Sequence, residues 1–168
     1  MGRVRNSGPI KSTGGFEVGA AASGMTPETN TAIIDSSGNI TAQNILGKSS
    51  VTVVSDNLTL TAADSGKIFL VDTDAKIITL PSTAAGLIYH FINIGADGAV
   101  LLSVSPAAAD GIQGTTSAST NVVLSGTDNK DLLNTKATAQ LGDTATIIGD
   151  GTAGWYLLNS TGIWASEA

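Results

Sequence analysis

Across residues 51–164 the chain is written in short apolar runs, each cut off within a few residues by glycine, asparagine, aspartate, serine or proline. Runs of that length are too short for helices with one greasy face, whereas they suit strands joined by tight turns. No such rhythm precedes them. Residues 1–24, MGRVRNSGPIKSTGGFEVGAAASG, are small and polar, with Arg3, Arg5 and Lys11 opposed only by Glu17. A segment of this kind buries too little apolar surface to offset the entropy of ordering it, so it is expected to have no fold of its own. The division that follows is an extended basic arm over 1–30, a hairpin and linker over 31–48, and a β module over 49–168.

Strand by strand, residues 32–35 and 39–42 flank Ser36, Ser37 and Gly38 and predict a two-stranded hairpin. Residues 51–54 and 58–61 predict two strands with a turn at Ser55, Asp56 and Asn57, and the spacing of 67–71 and 76–80 predicts a further hairpin. Pro81 cannot donate to a ladder and should close the strand before it. In residues 87–94, LIYHFINI, Tyr89 and Phe91 share one face while Ile88, His90, Ile92 and Ile94 share the other. Two apolar faces imply burial on both sides, one against the domain core and one against a second sheet or a neighbouring subunit. Residues 99–104, 121–124, 145–148 and 155–158 complete a set of nine or ten strands, which predicts an all-β fold, a single sandwich or small barrel. Residues 130–140 are the one marginal helix candidate, with a strand there as the alternative.

The formal charge of the chain is −6, and the arm is opposite in sign to the remainder. An acidic body argues against nucleic acid as the main ligand, because a duplex binder needs clustered lysine and arginine. The basic residues near the start are followed by glycine, serine and Pro9 rather than by an apolar core, so no secretory leader is read there, and no later run is long enough to span a bilayer. With no cysteine in the chain, disulfides and thiolate chemistry are excluded. Charged residues make up only 13%, which suits a protein whose surface is largely covered by neighbours.

Candidates for chemistry are few. His90 is the single histidine, so a serine-histidine-aspartate apparatus would have to use it, yet Tyr89 and Phe91 set it in the most apolar strand. Asp72 and Asp74 are the tightest carboxylate pair, but no glycine and glutamate follow at calcium-loop spacing, and a solvated turn is the preferred reading. Asp110, Asp143 and Asp150 neighbour glycines, as turn formers do. Residues 149–154, GDGTAG, lack the lysine and the helix of a phosphate loop and predict a hairpin turn. Trp155, Tyr156 and Trp164 suit a sugar-stacking platform, a core or an intersubunit seam. No catalytic residue, metal ligand or cofactor is assigned.

One string, residues 58–68 (LTLTAADSGKI), followed by Ile78, Thr79, Leu80 and Pro81 and then by Ala84, Ala85, Gly86 and Leu87, resembles a module found in virion proteins of tailed bacteriophages. These are head-decoration, head-fibre and tail-fibre proteins. Residues 91–98 (FINIGADG), 110–114 (DGIQG), 154–158 (GWYLL) and 162–164 (GIW) fit the later strands of the same family, so the likeness covers residues 50–165. Members are β-rich and commonly trimeric, and the resemblance implies attachment to a capsid or tail rather than catalysis. With one arm and one module, the chain is sized for a capsid ornament, so the expectation is a decoration protein on the outer capsid surface. The major capsid protein and two further copies of the chain are its expected partners, with neither nucleic acid nor membrane. Arg3, Arg5, Lys11 and Phe16 are the expected capsid contacts, and Tyr89, Phe91, Trp155 and Trp164 the expected subunit interface. The alternative is a tail-fibre or receptor-binding protein whose ligand is a host-surface glycan.

Overall fold

A computed structural model describes residues 49–116 and 122–168, together with the strands of one hairpin in the preceding part of the chain. The expected arm, with Arg3, Arg5, Lys11 and Phe16, lies outside the described residues. The hairpin does form: β1 (Ala32–Ile34) and β2 (Ile40–Ala42) pair antiparallel, with Ile33 opposite Thr41. Residues 1–48 and 49–168 are separate compact units.

The second unit is an all-β sandwich, as its rhythm predicts. Strands β3 (Val51–Val54), β4 (Leu58–Thr59), β5 (Ile68–Val71), β6 (Lys76–Thr79), β7 (Ile88–Asn93) and β8 (Leu102–Ser105) go alternately to two sheets. Each therefore pairs in parallel with the strand two places along the chain: β3 with β5, β5 with β7, β4 with β6 and β6 with β8. The chain winds as three stacked coils. The hairpin expected over 67–80 is thus corrected, because β5 and β6 lie in opposite sheets and the residues between them, with Ala75 at φ 56°, turn a corner instead. Alternating burial is the same for a strand whether its successor lies beside it or across the core, so pattern alone does not separate the two arrangements.

From β9 onward the ladders are mostly antiparallel. Strands β9 (Gly111–Thr115), β10 (Val123–Asp128), β11 (Leu132–Asn134), β12 (Thr144–Gly149), β13 (Gly154–Thr161) and β14 (Ala165–Ser166) complete a seven-stranded sheet ordered β10-β9-β13-β12-β7-β5-β3 and a five-stranded sheet ordered β14-β11-β8-β6-β4. The helix candidate over 130–140 yields to its alternative, strand β11 followed by a turn. Residues 149–154 form the predicted turn between β12 and β13. Among the described residues, helical structure amounts to one 3-10 turn at Ala62–Asp64, and no helix is long and apolar enough to cross a membrane.

The core lies between the sheets. Phe69, Val71, Tyr89, Phe91, Ile147 and Trp155 enter it from the larger sheet, and Ile78, Leu102, Val104 and Leu132 from the smaller. Phe91 stacks on Phe69 with ring centres 5.9 Å apart, and Tyr89 is tilted against Trp155 at 5.5 Å. A buried polar chain crosses the same interior. Asn93 Nδ2 donates to Asn134 Oδ1 at 2.7 Å, and Asn134 Nδ2 donates to Asp143 Oδ2 at 2.8 Å, joining β7 of one sheet to β11 of the other. Hydrogen bonds satisfied in this way avoid the cost of burying amides and fix how the two layers meet.

Candidate interaction face

The outer surface of the seven-stranded sheet follows from strand parity. In β5, Phe69 and Val71 go inward, so Ile68 and Leu70 go outward; in the parallel partner β3 the same register places Val51 and Val53 on the outside. Register carries the face across to β7, where Ile88, His90 and Ile92 stand opposite to buried Tyr89, Phe91 and Asn93. On β12 it continues through Thr144, Thr146 and Ile148. On β13 it ends with Tyr156, Asn159 and Thr161, together with Leu158, which a bulge opposite Thr146 and Ile147 leaves unpaired.

None of these residues is an aspartate, glutamate, lysine or arginine. Residues 49–168 contain eleven acidic side chains and four lysines, yet none is an outward residue of these five strands; Asp56 follows β3 beside Val53, and Asp128 of β10 stands opposite Gly111. Apolar side chains are instead left in the open: Val51 is 53% exposed, Val53 56% and Leu158 56%. Solvated antiparallel faces normally carry polar residues, and apolar patches of this extent mark contact surfaces. Ser49, Ile68, His90, Ile92, Thr144, Thr146 and Asn159 line a shallow concavity of about 420 Å³ in the middle of the face. His90 is half-buried there, its Nδ1 3.1 Å from the Thr146 hydroxyl. The arrangement offers apolar contact and hydroxyls, with one imidazole.

The acids are committed elsewhere. Asp74 Oδ1 accepts the Leu101 N–H at 2.9 Å while Oδ2 pairs with Lys136, and that ammonium, ahead of the Leu101 amide, holds the carboxyl below its ordinary range. Asp72 only receives the neighbouring Thr73 hydroxyl, so the two carboxylates do not converge on a calcium position. Asp150 Oδ1 accepts the N–H groups of Thr152, Ala153 and Gly154 at 2.7–3.0 Å, which lowers its pKa and occupies the amides that a phosphate would need. Asp110 and Asp143 are buried rather than merely turn-forming: Asp110 Oδ2 accepts the Thr83 N–H at 2.8 Å, and Asp143 ends the asparagine chain. Among the described residues no three histidine, aspartate or glutamate side chains gather as metal ligands would.

The expected subunit interface needs correction. Tyr89, Phe91, Trp155 and Trp164 are each 0% exposed within the single chain, so they fill its own interior and have no surface to offer a neighbour. Their bulk is covered by the opposite sheet. Burial also removes Trp155 and Trp164 from a sugar-stacking platform, leaving Tyr156, which is 43% exposed. The residues that do face outward on the same strand are the other half of its alternation, Ile88, His90 and Ile92. Asn93 and Asn134 were not singled out by sequence reasoning, although Asn93 shares the parity of Tyr89 and Phe91 and so signals an inward amide.

No family model matches this chain, and no curated protein is similar to it.

Proposed function

We propose that this protein is a structural component of a tailed-bacteriophage virion, a decoration protein that binds the outer capsid surface through its N-terminal arm and stabilises the head as a homotrimer. The observation that carries this reading is the uncharged, apolar outer face of five strands of the larger sheet on an otherwise acidic module. A surface of that kind suits a protein that works by being covered. The phage-like strings support it too, since LTLTAADSGKI spans β4, the 3-10 turn and the start of β5, the segment that closes one coil and begins the next.

In this proposal Arg3, Arg5 and Lys11 meet acidic patches of the major capsid protein, and Phe16 adds an apolar contact. Single exposed ion pairs contribute only about 0–1 kcal/mol. Three linked arms raise the effective concentration of every later contact once the first is made, so weak pairs sum to firm attachment. An extended arm can also add a strand to a free sheet edge, with backbone hydrogen bonds supplying affinity.

The test is to mix the purified full chain with undecorated heads and, separately, with host cells, and to pellet each. Heads should carry the protein down and cells should not, and removal of residues 1–30 should abolish retention. Retention by cells alone would replace this reading with the alternative, a tail-fibre or glycan-binding protein, for which Tyr156→Ala should then weaken binding.

A further inference from the structure

We infer that the outer face of strands β3, β5, β7, β12 and β13 is the surface on which a further copy of this chain docks, with β7 at its centre. This deepens the proposed function by naming one seam through which copies meet, a face that packs on itself joining them in pairs, and it rests on that reading only for further copies being present.

Three observations identify the occupant as another copy. The first is charge. Residues 49–168 carry eleven acids against four lysines, so contact through an acidic part of the surface would bring like charges together. The face through Val53, Leu70, Ile92 and Ile148 brings none, and it is therefore compatible with itself. A basic partner would have no carboxylate to meet there, and nucleic acid would find no lysine or arginine.

The second is what is left exposed. Val51, Val53 and Leu158 are each more than half exposed, whereas the inward Val54 and Val71 are buried. The same alternation that hides Tyr89 and Phe91 leaves Ile88 and Ile92 only partly covered, so the strand is apolar on both faces yet has its own second sheet on just one. Sheets stack face to face at about 10 Å, and a second apolar sheet is the usual cover for a first.

The third is size. The five strands β3, β5, β7, β12 and β13, spaced about 4.8 Å apart and about 17 Å long, project roughly 410 Å². A corrugated surface has more accessible area than its projection, so the face lies between a small transient contact and the roughly 800 Å² per partner of a standard stable interface. The concavity of about 420 Å³ over His90 gives room for side chains that protrude from the partner.

Sedimentation of the full chain tests this. The native protein should run as a multiple of 16.8 kDa. Ile92→Asp, on the central strand, should weaken association by at least about 30-fold, since central contacts dominate such interfaces, and Val53→Asp, on the edge strand β3, should weaken it to a smaller extent. Ile77→Asp, on the outer face of the five-stranded sheet and 40% exposed, should leave the mass unchanged. A second measurement avoids any loss of folding: the chain has no cysteine, so Val53→Cys and Ile77→Cys each introduce one thiol. The Val53→Cys thiol should become slower to alkylate as protein concentration rises, and the Ile77→Cys thiol should not.

A native chain that stays monomeric, aspartate variants that keep the native mass, or equal alkylation at both thiols would overturn the inference. The two proposals fail separately. A chain that associates through this face but ignores heads removes the decoration reading alone; one that binds heads as a monomer removes the seam alone.

Discussion

Two tryptophans of equal burial differ in one hydrogen bond. Trp164 Nε1 donates to the Thr161 carbonyl at 2.8 Å, whereas Trp155 Nε1 has no partner among the described residues. Replacing Trp164 by phenylalanine therefore costs packing and a hydrogen bond, while the same change at Trp155 removes a polar atom that burial penalises. Chemical denaturation should show Trp164→Phe the more destabilising by about 1 kcal/mol. Asp64 yields a prediction in pH. Its Oδ1 accepts the Lys67 ammonium at 2.7 Å and its Oδ2 accepts both the N–H and the hydroxyl of Thr61 at 2.8 Å, and these contacts, Lys67 first, lower its pKa from 3.8 to about 2. A depressed carboxyl stabilises the fold above its unfolded pKa and loses that contribution as pH falls through the folded value. Asp64→Asn should thus be less stable than the native protein at neutral pH, by about 1 kcal/mol, and urea melts should show the gap closing between pH 3.8 and about 2.

Close approach of β9, β10 and β13 depends on an absent side chain. A Cβ on Gly111 would lie 2.0 Å from the Gly126 carbonyl oxygen, and one on Gly154 would lie 2.2 Å from that of Gly111. Backbone atoms cannot swing aside as side chains can, so Gly111→Ala should cost at least about 3 kcal/mol, seen as a lowered Tm and a lost β10 ladder in amide exchange. At this scale the sequence was legible where strands are defined by their own residues. Runs such as ATII at 145–148 and GWYLL at 154–158 show where strands run, and the Asp150 turn between them shows that these two pair. Pairing partners were not legible for the coils, because Phe69 and Ile78 both face the core whether β5 and β6 are neighbours or lie opposite. Strand β14 was missed because Ala165 and Ser166 carry no apolar signal and are held by the ladder to Leu132 and Leu133. For the candidate face, the double apolarity of residues 87–94 announced an outward surface, but large aromatics were assigned to it when their size suited the interior better. The contributions of Val51 and Val53 depend on a register that only the parallel ladder supplies.

As a whole, the 49–168 unit holds the sandwich core between two sheets, and the described residues of the hydrophobic cluster belong to that unit. Removing residues 1–48 should leave its circular dichroism and Tm essentially unchanged, while the capsid attachment proposed for the arm should disappear. Most long-range ladders must close before any of them is supported by a neighbour, so refolding should fall in the millisecond-to-second range typical of such topologies. The coils differ in chain length: Val51 pairs with Ile68, Ile68 with His90, Leu58 with Ile78 and Lys76 with Leu102, at intervals of 17, 22, 20 and 26 residues. All that variation is absorbed at the corners. One amino acid inserted between Ile88 and Asn93 would invert everything after it, turning Phe91 toward water or forcing the ladder to slip. The same addition at the exposed Ala108 and Ala109, between β8 and β9, would only widen a bend. The winding thus divides the polypeptide into stretches where counting is strict and bends where it is free, and foreign peptides grafted for display belong at the latter.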